Sequence, residues 1–302
     1  MKTLLNTLIL SILPLFPGLL PASDLEREQR WQQQVEENLF EGETLMLNDG
    51  SVDFLGIYTE SAQERPEGAV LLLHGRGVHP DWPQVISPLR TRLPEQGWTT
   101  LSLQMPVLDP QAKLDAYVPL FDEALGRIEA GIDYLQEQGF DRIVLLGHSM
   151  GNGMATHYLS TTRDPRVKAF IGVGMSADKP ELRSVMDTAI ALRKLALLPV
   201  LDVYGSRDID LVLDSVGARF DAIRSAGSPR SQQIMLRGSD HFHDGSEEKL
   251  VRLPQSLRSF AMTISTNFES CHREEAGGRR GDPKFNLINE FPDCHSRCAS
   301  SQ

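Results

Sequence analysis

The chain has no cysteine before Cys271; Cys271, Cys294 and Cys298 all fall in its last segment. A body without thiols suits an oxidising compartment, where a stray thiol would mispair. Three is an odd count, so at most one internal disulfide forms and one thiol is left over. The spacing Cys294-His-Ser-Arg-Cys298 has a loose metal-ligand look. A four-ligand zinc site there needs a long closure to Cys271, His272 or His295, so a weakly ordered tail is the preferred reading. Basic residues are also scarce: 30 Lys and Arg stand against 41 Asp and Glu, a net charge of -11. That balance argues against a nucleic-acid partner, which leaves a basic footprint. No internal repeat is present.

Long hydrophobic runs are missing except at the start. Leu4 to Leu20 is apolar apart from Asn6, Thr7 and Ser11, follows the basic Met1-Lys2, and leads to the small residues Pro21-Ala22-Ser23. These features predict an export signal over residues 1–23 and a periplasmic or secreted protein. Pro14 and Pro17 disfavour a stable spanning helix, so no membrane span is expected after signal removal. No cysteine follows the run to accept a lipid.

The remainder, at 40% apolar and 24% charged residues overall, has the composition of a globular protein. Residues 24 to 46 open with a polar helix. Asn48-Asp49-Gly50 then turns a hairpin between Thr44–Leu47 and Val52–Tyr58. Apolar strands are expected at Gly68–His74, Thr99–Met105, Arg142–Leu146, Val167–Val173, Pro199–Tyr204 and Gln232–Leu236. Helical stretches alternate with them: Pro88–Gln96, Tyr117–Gln138, the stretch after residue 152, a short insert Lys179–Leu198, Leu211–Ser225 and Glu247–Phe260. Such alternation predicts an α/β domain over residues 24–264 with a mostly parallel central sheet covered by helices on both faces. Residues 265–302 lose the pattern and are expected to be a disordered tail.

The densest signal is Gly147-His148-Ser149-Met150-Gly151, set between an apolar strand and a helix-compatible run. Strand, G-x-S-x-G, helix is the context of a nucleophile elbow, in which serine stands on a strained turn and the glycines clear space around it. A serine hydroxyl is a weak nucleophile at neutral pH and needs a general base. In this architecture the acid and then the histidine follow at later strand ends. Asp208 in Tyr204-Gly-Ser-Arg-Asp208 and His241 in Arg237-Gly-Ser-Asp-His241 occupy such places. Asp202 and Asp210 compete with Asp208; the first points from inside a strand and the second lies deeper in the following segment. His243 competes with His241, and the pair His241-Phe-His243 has no further ligands that would make it a metal site.

With Leu73-His74-Gly75-Arg76-Gly77 and Asp81-Trp82-Pro83, these residues make the chain resemble the α/β-hydrolase superfamily from about residue 44 to 264. Within it the chain resembles an uncharacterised, DUF3530-like group of exported bacterial proteins. The expected chemistry is cleavage of an ester or related acyl bond of a small-molecule substrate, without metal or cofactor. Ser149 would attack, His241 would act as base and then acid, and Asp208 would orient the imidazole. Backbone N–H groups of Met150 and Arg76 are the expected oxyanion donors. His79 and Trp82 lie on a loop near the expected mouth and are candidate substrate contacts, while His148 and His74 are read as structural. A short insert suits modest substrates better than long-chain lipids. A non-catalytic envelope-binding or assembly protein that keeps the fold is the alternative. Sequence gives no guide to oligomeric state.

Overall fold

In the computed structural model, the described residues are 22–177 and 187–252. The expected export segment up to Pro21, the tail with its three cysteines, most of the first half of the expected insert and the end of the last expected helix lie outside them. The elements run α1 (Leu25–Asn38), β1 (Glu43–Asn48), β2 (Asp53–Thr59), β3 (Gly68–Leu73), α2 (Ile86–Arg92), β4 (Trp98–Leu103), α3 (Val118–Glu137), β5 (Ile143–His148) and α4 (Met150–Thr162). They continue with β6 (Val167–Val173), α5 (Thr188–Arg193), β7 (Val200–Arg207), α6 (Asp210–Leu213), α7 (Val216–Ser225), β8 (Gln232–Asp240) and α8 (Glu247–Val251).

The strands form one eight-stranded sheet among the described residues, in the order β1-β2-β4-β3-β5-β6-β7-β8. The β1–β2 and β2–β4 pairs are antiparallel and all others parallel. The alternation of strand side chains explains why the inner strands read as unbroken apolar runs. On β3, Ala69, Leu71 and Leu73 pack with Leu120, Phe121 and Ile128 of α3, Met154 of α4 and Ile223 of α7. Val70 and Leu72 face the other way, toward Leu89 of α2 and Leu250 and Val251 of α8. Helices therefore cover both faces, as the alternation of elements predicts.

Element ends differ from expectation where turn chemistry intervenes. The expected helix Pro88–Gln96 splits into α2 and a single 3-10 turn, Pro94–Gln96, because Pro94 interrupts the helical bonding and Gly97 closes it at φ +92°. β8 runs four residues beyond Leu236 to Asp240, its register with β7 shifting between Gly205 and Arg207. No helix among the described residues is long and apolar enough to cross a membrane.

The chain order places one crevice. From β3 the chain moves outward to β4 and then returns across β3 to β5, so the loops leaving the adjacent strands β3 and β5 diverge. In open parallel sheets ligands bind at such a switch, outside the carboxyl ends of the strands. Leu73 pairs with Gly147 in register, which puts the Gly75-Arg76 loop beside Ser149.

Candidate active site

Ser149 sits between the end of β5 and the first residue of α4, at φ 51° and ψ −118°. A non-glycine residue held there stores on the order of 1–3 kcal/mol of backbone strain. Neighbours fix it: the Ser149 N–H donates to the Val173 carbonyl (3.0 Å), and its own carbonyl accepts from the Asn152 N–H (3.1 Å). The flanking glycines are required by contact. A Cβ on Gly147 would lie 2.7 Å from the Asn152 nitrogen, and one on Gly151 would collide with the Leu73 carbonyl oxygen. Gly75 is equally constrained, since its Cβ would lie 3.2 Å from that of Ser149.

The Ser149 hydroxyl makes no capping bond to α4 and turns instead to the loop after β8. Its Oγ lies 3.0 Å from His241 Nε2, and His241 Nδ1 lies 2.6 Å from Asp208 Oδ1. With a carboxylate on Nδ1, that nitrogen carries the proton and donates it, leaving Nε2 to accept from the serine. Asp208 is fully engaged. Oδ1 also accepts from the Ile209 N–H (2.9 Å), and Oδ2 from the Gly205 N–H (3.1 Å). Burial works to raise its carboxyl, but the bonds from His241 and these amides prevail and hold it below the usual carboxylate value.

The competing acids are elsewhere. Asp202 is fully buried within β7 and binds Arg219 Nε (2.8 Å) and Gln233 Nε2 (2.8 Å), while Asp210 is exposed at the start of α6. His243 turns away from His241. It is buried at φ 55°, with Nδ1 2.6 Å from Ser239 Oγ, and burial lowers its pKa to about 4. No group of three or more potential metal ligands occurs among the described residues.

Two further histidines brace the site. His148 donates Nε2–H to the His241 carbonyl (3.1 Å), and its ring lies 5.2 Å from that of His241. His74 donates Nδ1–H to the Gly75 carbonyl (2.8 Å) and accepts the Met105 N–H on Nε2 (2.9 Å), tying the β3 loop to the end of β4. Burial lowers both to about 3, so both are neutral. Gly174, which the sequence reading passed over, follows β6 at φ 59°, and a Cβ there would lie 3.0 Å from His241 Cε1 and Nδ1. The signal for it was available in principle: a glycine directly past a strand end, beside the elbow strand.

Ser149 and His241 open into a cleft of about 390 Å³. Its walls are largely apolar, with Leu114, Phe121, Met150, Ile209, Val212 and Phe242 among them, and Trp82 and Arg76 line it too. His79 does not. Its ring is buried between Trp31 and Trp82, at centroid distances of 5.7 and 5.3 Å, and so supports Trp82 from behind. Met150 opens α4, where first-turn N–H groups have no intrahelical acceptor, and Arg76 follows the close-packed Gly75. A chain of hydroxyl, imidazole and carboxylate at these distances can remove a proton from the serine as it attacks an electrophile.

A model of the family described as a protein of unknown function, DUF3530, matches residues 17–119 and 120–255. The chain belongs to that family. Solved structures with similar folds include Est1E from Butyrivibrio proteoclasticus, at 17% identity and TM-score 0.57, covering 74% of this chain and 99% of that one. An alpha-beta serine hydrolase homologue from Coxiella burnetii is also 17% identical, with TM-score 0.54 over 76% and 100% of the two chains. Dienelactone hydrolase from Anabaena variabilis gives 19% identity and TM-score 0.55 over 72% and 97%. No curated protein matches the chain. These likenesses give this DUF3530 member the α/β-hydrolase fold that its sequence resembles.

Proposed function

We propose that this DUF3530 protein is a serine hydrolase that cleaves an ester or related acyl bond through an acyl-enzyme. The observation that carries the reading is the unbroken hydrogen-bonded chain Ser149–His241–Asp208, 3.0 and 2.6 Å, opening into an apolar cleft at the sheet's switch point. Ser149 Oγ attacks the acyl carbonyl while His241 Nε2 takes its proton; Asp208 keeps Nδ1 protonated and stabilises the imidazolium. The N–H groups of Met150 and Arg76 receive the developing oxyanion. His241 then passes the proton to the leaving group. A water, deprotonated by the same imidazole, releases the acid product and frees Ser149. No cofactor enters the scheme.

The apolar walls favour a substrate with a hydrocarbon or aromatic acyl part, and the volume favours one of modest size. Among the described residues that line the cleft, Arg76 is the one Lys, Arg, Asp or Glu, so a substrate panel should pair neutral esters with esters carrying a carboxylate. The export segment supports action in the periplasm or outside the cell. The alternative of a non-catalytic assembly protein has no use for a serine held strained beside an oriented imidazole.

A fluorophosphonate probe tests the assignment: the folded protein is expected to label at Ser149, and Ser149→Ala to lose the label. Unlabelled wild-type protein, or undiminished labelling of the variant, would refute the proposal.

A further inference from the structure

The most developed polar cluster outside the cleft lies where the chain enters the domain. Arg127 of α3 is fully buried, and three carboxylates converge on it. Glu28 of α1 is 2.8 Å away, Glu123 one turn back on α3 is 3.0 Å away, and Asp49 from the hairpin turn is 3.7 Å away. Among the described residues Arg127 is the one cation ion-paired to these three. Burying carboxylates in excess of cations is unfavourable. Glu28 registers this: burial, only partly offset by Arg127, pushes it up to about 7.

The remaining partners are the first of the described residues. Ser23 donates its hydroxyl to Glu123 Oε1 (2.5 Å) and accepts from Arg127 Nη2 (3.4 Å). Its backbone N–H points at Glu123 Oε2 (3.2 Å). Asp24 is fixed by its N–H to the Val107 carbonyl (2.8 Å), and the Val107 N–H returns to Glu28 Oε1 (3.2 Å). Ser23 is buried, whereas Ala22 before it is exposed. The backbone N–H groups of Ser23 (3.2 Å) and Ala22 (3.1 Å) both point at Glu123 Oε2, and of the two nitrogens Ser23's belongs to the buried residue, beside three carboxylates that share one arginine.

We propose that the chain is processed between Ala22 and Ser23, and that the α-ammonium so created is a built-in charge of the mature domain, seated on Glu123. Hydrolysis of that peptide bond consumes one water. Ala22 leaves as a carboxylate, and the Ser23 amine takes up a proton to become an ammonium at neutral pH. The enzyme required is a leader peptidase that cuts after a small residue, which Ala22 supplies. The cut falls one residue ahead of the boundary expected from the sequence, because Ser23 is bonded into the fold. The proposal rests on the export segment and is independent of the catalytic reading.

Two measurements test it. The full chain, produced in a bacterium that exports it, is expected to yield a polypeptide whose intact mass begins at Ser23; an uncleaved product or another start overturns the assignment. The second compares a chain starting at Ser23 with one retaining Pro21 and Ala22, each with Glu123 or with Glu123→Gln. At pH 7 the Ser23 start should melt higher by about 2–4 °C. A partnered ammonium has a raised pKa, so its stabilisation is present below the unfolded value near 8 and is lost as pH rises through the folded one. The gap should therefore close by about pH 10, and it should be absent in the Glu123→Gln pair. Equal melting of the two starts at pH 7, or an undiminished gap with Glu123→Gln, overturns the role of the ammonium. If Glu123→Gln fails to fold, α-N-acetylation of the Ser23 start replaces it and must lower melting by the same amount; no change overturns the proposal.

Discussion

Mild acid is expected to destabilise this protein steeply, chiefly through three deeply buried histidines, with His79, also lowered by burial, acting in the same sense. His74, His148 and His243 are buried and neutral, lowered chiefly by burial to about 3, 3 and 4. In the unfolded chain each returns to about 6.5. A histidine depressed in this way lends its full stability above the unfolded pKa, and that stability drains away as pH falls toward the folded value. Between pH 6 and 4.5 the unfolded chain therefore binds about three more protons at these sites. Glu28 works in the opposite sense. Raised to about 7, it keeps one extra proton in the folded form across the same window. The net of about two protons amounts to about 3 kcal/mol per pH unit, or roughly 4 kcal/mol over the window. That is a large part of the 5–15 kcal/mol typical of a folded domain. The depressed carboxyl of Asp208 adds to the loss only below about pH 4. Urea unfolding at half-unit pH steps measures the slope directly. His148→Gln keeps a side-chain donor for the His241 carbonyl while removing the proton site, and should cut the slope by about 1.4 kcal/mol per unit. A flat profile, or a slope unaffected by His148→Gln, refutes the reasoning.

Asp202 and Asp208 should separate cleanly on substitution. Asp202→Asn leaves Arg219 buried without its counter-charge and is expected to cost about 3–5 kcal/mol of stability. Asp208→Asn should stay folded while kcat/KM on a cleavable ester falls by about 10⁴. Reversed outcomes would transfer the acid's role to Asp202. Gly174→Ala forces a Cβ against the His241 ring at a left-handed backbone position, so kcat should fall by about 10² with only a few degrees lost in Tm; an unchanged kcat would show that the ring tolerates the methyl.

Much of the site was legible because this fold writes its strands plainly. β3 and β5 are buried on both faces and read as continuous apolar runs, so the residues just beyond them could be named. Asp208 and Asp202 were separable by position alone, one past the strand end and one within it. The strand order was less accessible, because it depends on which edge the chain crosses and not on any local pattern. Nor did periodicity disclose that β8 continues through the polar stretch Arg237-Gly-Ser-Asp240, since those residues gain their place by pairing with β7 across a register shift. The placement of His79 was not legible locally: its burial between two tryptophans depends on α1 folding back to bring Trp31 alongside.

The relay spans a gradient of mechanical security. Ser149 hangs from β5, which has a parallel partner on each side, whereas the imidazole hangs from β8, an edge strand among the described residues. Central strands open last and edges first. Fraying of that edge would withdraw the imidazole from a serine that is still folded and still strained. On the proposed mechanism, loss of chemistry and loss of fold are expected as separate events, the first reversible by re-pairing a single strand.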